Sequence, residues 1–180
     1  MSTIINIDTK FEDVKLLELK SFSDNRGFFR EVYNQEISKY LDSDIKFIQD
    51  NESHSLFGTL RGLHFQNEPY AQSKLVRVSL GKVQDVIVDL RAGSDTYGEW
   101  ESYELSSHNN RMLFVPKGFA HGFLVLSENA IVNYKVDCLY NPSYESGILY
   151  NDPLIDIKWN LKEDTIILSK KDLDFPNLKL

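Results

Sequence analysis

Cysteine is almost missing from this 180-residue chain, with Cys138 as its one thiol. One thiol closes no internal disulfide, so a packed core must supply the stability, and a reducing, cytoplasmic setting is expected. Positive charge is also short: 20 Lys and Arg stand against 27 Asp and Glu, for a net charge of -7. That balance argues against nucleic acid or an anionic membrane surface as the main partner. It leaves room for an anionic small ligand held by a local Arg/Lys cluster. No apolar run approaches membrane-spanning length, and MSTIINIDTKFEDVK at the N-terminus has no basic-then-apolar signal pattern. No GxSxG and no phosphate-binding glycine loop occurs.

Histidine is scarce too. A mononuclear metal site needs three or four N/O ligands on inward positions. Phe65 and Gln66 follow His64, so there is no His-x-His pair, and His121 has no third ligand near it in sequence. His54 and His108 lie in polar, loop-like surroundings. No metal is expected.

What is present is a long series of short apolar and aromatic segments, often alternating, separated by turn residues. No composition shift, linker or repeat divides the chain, so one domain spanning residues 1–180 is expected. Strands are expected at residues 14–19, 28–33, 46–51, 75–80, 83–90, 101–105, 111–115, 119–126 and 130–136. Gly81-Lys82 fits a two-residue hairpin turn with glycine first. Asn34 is a good N-cap for one short helix over residues 35–41. This pattern predicts an all-β fold, a closed double-sheet jelly roll with one or a few short helices, whose mouth can hold a ligand.

The stretch 57–78, FGTLRGLHFQNEPYAQSKLVRV, concentrates chemistry. Arg61, His64 and Lys74 lie close together in a segment that otherwise reads as core strand. Local context alone favours a satisfied core histidine; the alternative is a proton-transfer centre for an anionic substrate. Lys74 is on the same strand face as Val76 and Val78, either snorkelling out or aimed into a cavity. Gln49 and Asn51 share a face and can hydrogen-bond a sugar, a base or neighbouring backbone. Arg26, in a turn, reads locally as solvent-facing. Imidazole, carboxylate, phenol and ammonium together suit proton abstraction α to a ketone: a histidine base, an aspartate against its other nitrogen, a tyrosine acid on the far side, and a cation on the oxyanion.

Eight motifs occur in order: DNRGFFRE (24–31), IQDN (48–51), LRGLHFQ (60–66), KLVRVSLGKVQDVIVDLR (74–91), VPKGFAHGF (115–123), YKVDCLYNP (134–142), ESGILYNDP (145–153) and LSKKD (168–172). Together they resemble the dTDP-4-dehydrorhamnose 3,5-epimerase family, a cupin-type jelly roll, over nearly the whole chain.

The resemblance implies epimerisation at C3 and C5 of dTDP-4-dehydro-6-deoxy-D-glucose to dTDP-4-dehydro-L-rhamnose. It makes His64 the base, Asp172 its paired carboxylate (with Asp152 as a weaker candidate) and Tyr134 the acid that reprotonates the other face. It places Tyr140 on the thymine ring, and Arg26, Glu31, Gln49, Asn51, Arg61, Lys74, His121, Glu145 and Lys171 at ligand-contacting positions. Lys170 and Lys171 are able to trade roles. The resemblance further implies no metal or nicotinamide cofactor, and a homodimer whose first strands contribute to the partner's sheet and site. Three alternatives stay open: inversion of a single centre on another nucleotide 4-keto sugar, a non-catalytic sugar-nucleotide-binding cupin, and a metal-dependent cupin enzyme.

Overall fold

The computed structural model describes residues 4–41 and 45–179. Residues 1–3, 42–44 and 180, which the single-domain expectation includes, lie outside the described residues.

Two antiparallel sheets face each other. The first contains β1 (Ile4–Ile7), β2 (Lys15–Leu19), β5 (Gln49–Leu56), β7 (Lys74–Leu80), β10 (Arg111–Val115) and β12 (Asn129–Val136), in the order β1-β2-β10-β7-β12-β5. The second contains β6 (Leu60–Gln66), β8 (Lys82–Asp89), β9 (Trp100–Ser106), β11 (Phe119–Val125) and β13 (Glu145–Gly147), in the order β13-β6-β11-β8-β9. A separate hairpin pairs β3 (Phe22–Asp24) with β4 (Gly27–Phe29). This is the jelly roll that the alternating segments predict.

The core follows from the two-residue period of each strand. Leu16, Val76, Val78, Leu113, Val115 and Val132 of the first sheet meet Val83, Ile87, Leu105, Phe119, Phe123 and Val125 of the second. The outer face of the first sheet buries Leu17, Leu75, Met112 and Phe114 beneath Ile37 and Leu41. The outer face of the second buries Leu63, Val86, Val88 and Ala120 beneath Ile155 and Ile157. β8 and β11 are therefore covered on both faces, which is why Val83–Val88 and Phe119–Val125 are almost uninterrupted apolar runs.

Several expectations need correction. The Gly81-Lys82 hairpin is absent: β7 and β8 belong to different sheets, and Gly81 carries the chain from one to the other. Glycine is required there because φ is +76° and a Cβ would sit 2.1 Å from the Asn129 carbonyl oxygen. The strand over 28–33 shrinks to β4, whose residues are exposed, while Val32 and Tyr33 beyond it pack against the outer face of the first sheet without strand pairing. The strand at 46–51 begins at Gln49 and runs on to Leu56, since pairing with β12 rather than side-chain pattern defines it. Helix α1 (Gln35–Ser38) is shorter than expected, and Asn34 Oδ1 caps it by accepting from the Ile37 N–H at 3.1 Å. A second short helix, α2 (Lys170–Leu173), falls within the expected few, but the sequence does not locate it, nor β1, β3 and β13. Elements of three or four residues are too short to carry a periodic signal.

Candidate active site

β6 supplies two of the predicted residues. Arg61 Nε donates to Ser55 Oγ on β5 at 3.0 Å, so this guanidinium bridges the two sheets. His64 lies directly opposite Gly147 on one side and His121 on the other. Its Nε2 is 2.7 Å from Asp172 Oδ1, with His64 30% and Asp172 5% exposed. Burial works to raise the Asp172 carboxyl, but hydrogen bonds from His64 and Ser169 and the charges of His64 and Lys171 outweigh it and hold it below the usual carboxylate range. Asp172 is thus ionised at neutral pH and only accepts. His64 must donate through Nε2–H, which leaves Nδ1 as the free basic nitrogen.

The first sheet supplies the facing wall. Asn51, Tyr134 and Val76 form one cross-strand row, and Gln49, Val136 and Lys74 form the next. Val76 is core, so the first row points inward, and Lys74, two residues earlier on β7, does the same. Gln49 Nε2 donates to Asn51 Oδ1 at 2.8 Å, which uses these two amides on each other. Burial pushes the Tyr134 phenol up; Arg61 pulls against this and Glu145 adds to it. Lys74 donates to the His64 carbonyl at 3.4 Å. Desolvation lowers its ammonium to about 8, against the opposing pull of Asp85 and Glu145.

Glu145 lies on β13, at the edge of the second sheet beside β6. Its oxygens take Lys171 Nζ at 2.5 Å and the Tyr140 hydroxyl at 2.5 Å. Burial raises its pKa, but Lys171 and Tyr140, then the charge of His64, bring it below its ordinary value. Glu145 therefore couples electrostatically to His64, Lys74 and Tyr134, the groups expected to do the chemistry. His121 Nε2 is buried against both oxygens of Asp85, at 2.9 and 3.0 Å.

Some expected residues are not brought together. Arg26 is at the tip of the β3–β4 hairpin, 85% exposed, paired with its own Asp24 at 2.6 Å. Glu31 is exposed beyond the same hairpin. Asp152, the weaker candidate for the histidine partner, lies elsewhere: it is buried, and accepts the N–H groups of Leu154 at 2.8 Å and of Leu178. It anchors the tail that carries Asp172. Of the two adjacent lysines, Lys171 is the one that reaches Glu145, while Lys170 stays exposed.

Sequence reasoning missed Asp85, Ser55 and Ser169. Asp85 had a signal, because an acid inside the run Val-Gln-Asp-Val-Ile-Val must find a partner when buried. Among the described residues, no group of three or more His, Cys, Asp or Glu is arranged to hold a metal ion.

A family model described as dTDP-4-dehydrorhamnose 3,5-epimerase matches residues 8–179. The protein of that name from Methanothermobacter thermautotrophicus is 49% identical over 174 residues, covering 96% of this chain and 94% of the relative. The solved structure of the Bacillus anthracis enzyme, with TDP and PPi bound, superposes with a TM-score of 0.93 at 48% identity, covering 98% of this chain and 100% of that one. A Legionella pneumophila epimerase structure in complex with dTDP-4-keto-L-rhamnose also gives a TM-score of 0.93, at 43% identity, covering 97% and 93%.

Proposed function

The chain belongs to the dTDP-4-dehydrorhamnose 3,5-epimerase family, and we propose that it inverts C3 and C5 of dTDP-4-dehydro-6-deoxy-D-glucose with His64 as base and Tyr134 as acid. The observation that carries this reading is the pairing of His64 with the ionised Asp172 on one wall of the barrel while Tyr134 projects from the facing sheet.

The chemistry follows from those groups. The C4 ketone acidifies the C–H bonds on either side of it. His64 Nδ1 removes a proton, and Asp172 stabilises the imidazolium that forms. The electron pair moves onto the C4 oxygen as an enolate. Lys74 is cationic at neutral pH because its pKa of about 8 lies above it, and it stabilises that oxygen. Tyr134, with its pKa raised by burial, holds its proton at neutral pH and delivers it to the opposite face of the flat intermediate. Proton return from the other side inverts the centre; His64 then releases its proton to solvent and Tyr134 regains one, and a second cycle inverts the other centre. Arg61 serves the diphosphate, Tyr140 stacks on the thymine, and Gln49, Asn51, His121, Glu145 and Lys171 complete the ligand contacts.

Arg26 and Glu31 enter through a homodimer. Phe22, Phe28 and Phe29 of the hairpin are 49%, 65% and 69% exposed, an apolar surface that calls for cover. A second copy provides it, and the hairpin then carries Arg26 and Glu31 to that copy's barrel mouth. Light scattering on wild type and on Phe28→Asp/Phe29→Asp tests this; a monomeric wild type defeats it. A cytoplasmic location belongs to the same reading, in keeping with the one unpaired thiol, Cys138.

Incubation of the protein with the substrate in heavy water tests the assignment. Deuterium at both C3 and C5, with formation of the L-rhamno product, is expected. Label at one carbon only points to the single-centre alternative. No incorporation means that the protein is not an epimerase of this sugar.

A further inference from the structure

Asp172 holds His64 by one atom only. A single hydrogen bond at Nε2 fixes that nitrogen in place, but leaves the ring soft to rotation about the Nε2···Oδ1 line. Something else must set the tilt, and the tail supplies it. Phe175 follows Asp172 by three residues, and its ring lies 5.4 Å from the imidazole, centroid to centroid, with the planes at 70°. This is the edge-to-face arrangement that aromatic pairs prefer.

The seat for that phenyl is Gly147. This residue pairs with His64 in the β13–β6 ladder. A Cβ on it would sit 2.5–2.6 Å from three ring atoms of Phe175, far inside contact distance. The absent side chain is therefore the space the phenyl occupies. The chain around Phe175 is pinned as well: Pro176 accepts the Leu149 N–H at 3.0 Å, and Asp152 accepts the Leu178 N–H. On the other side, Ser169 caps α2 by accepting from the Asp172 N–H at 3.1 Å.

We propose that Phe175, seated on Gly147, is a positioning residue for the catalytic histidine. Asp172 and Phe175 form a bracket delivered by one tail segment. The carboxylate selects the tautomer and the phenyl edge sets the tilt, so that Nδ1 points at the substrate C–H. The phenyl also keeps water from competing with His64 for Asp172. The proposal rests on His64 being the base, and Phe175 and Gly147 act in it through the imidazole.

The test compares Phe175→Ala, Gly147→Ala, the double variant and Phe175→Leu in the full-length enzyme. Loss of aim by a fraction of an ångström lowers kcat by about tenfold in each of the first two, with KM within about twofold of wild type. Gly147→Ala leaves the phenyl chemically intact yet has the same effect, because its methyl evicts the ring. The double variant is no slower than the slower single one, since both remove one interaction. Phe175→Leu restores apolar cover and recovers most of kcat. Nitrogen-15 spectra of the His64 ring show one neutral tautomer in wild type and a mixture in Phe175→Ala.

Thermal unfolding separates positioning from folding, and if Gly147→Ala does not fold, Phe175→Ala alone decides. Wild-type kcat in Phe175→Ala with a single His64 tautomer overturns the proposal. So does a loss of kcat that merely tracks a loss of folded protein. Failure of the base assignment is read separately: solvent exchange at the wild-type rate in His64→Ala defeats that assignment, and this proposal with it.

Discussion

His64 and His121 face each other directly across the β6–β11 ladder, yet their Nε2 atoms turn to different carboxylates. His64 reaches Asp172, which the tail brings in from 108 residues away, and His121 reaches Asp85 on the neighbouring strand β8. Their exposures differ accordingly, 30% for His64 and 8% for His121. Two similar rings in one row thus sit in different settings: one is partly open to solvent, the other is buried.

Removing the carboxylate beside His64 is expected to be nearly as damaging as removing the imidazole, because it changes which ring nitrogen carries the proton. In Asp172→Asn the amide donates to Nε2, which forces the proton onto Nδ1 and blocks the basic nitrogen. A fall in kcat on the order of 10⁴ is expected, with ligand binding retained. His64→Ala abolishes turnover. Steady-state kinetics together with calorimetric binding of dTDP check both; an active Asp172→Asn refutes the tautomer argument.

Tyr134→Phe separates proton removal from proton return. The base is intact, so deuterium still enters at the α carbons from the His64 side. Net inversion falls by roughly 10²–10⁴-fold because the opposite-face donor is lost. Magnetic resonance of the recovered sugar nucleotide gives both quantities. An equal loss of exchange and inversion removes Tyr134 from the acid role.

Lys74 predicts an alkaline limit. Its folded pKa of about 8 is below the ordinary lysine value, so the cation is lost as pH rises through about 8. The profile of kcat/KM for the free enzyme is expected to fall on that side. The sign for stability is opposite: burying the charged form costs stability below pH 8, and the cost fades as the group neutralises. Lys74→Arg stays charged and shifts the falling limb upward. A limb that does not move in Lys74→Arg belongs to another group.

Asp89 governs stability rather than chemistry. It is fully buried and accepts from Arg91 Nη2 at 2.7 Å, Ser94 Oγ at 2.7 Å and Thr96 Oγ1 at 2.6 Å. Burial alone raises its pKa, but these donors outweigh it and hold the carboxyl well below the ordinary range. Its contribution is complete above the unfolded value near 3.9, and is lost as pH falls towards the folded value. Asp89→Asn is expected to cost about 1.5–3 kcal/mol at neutral pH, and to flatten the loss of stability as pH falls below about 4. Urea unfolding at several pH values measures both.

The sequence by itself determined the all-β class, because alternation along a strand is a local property written in neighbouring residues. It likewise contained β8 and β11 as runs rich in apolar residues and put Lys74 on the face of Val76 and Val78, but it left open whether that lysine turns outward or into the barrel. Only the tertiary structure decided between Asp172 and Asp152 as the partner of His64, since both occur in short polar motifs and only the path of the tail brings one of them across 108 residues. The same holds for Gly81, whose local pattern is that of a hairpin but whose strands join different sheets. Pairing between strands, and the crossing of a tail over a barrel, depend on contacts distant along the chain, and no local spacing encodes them.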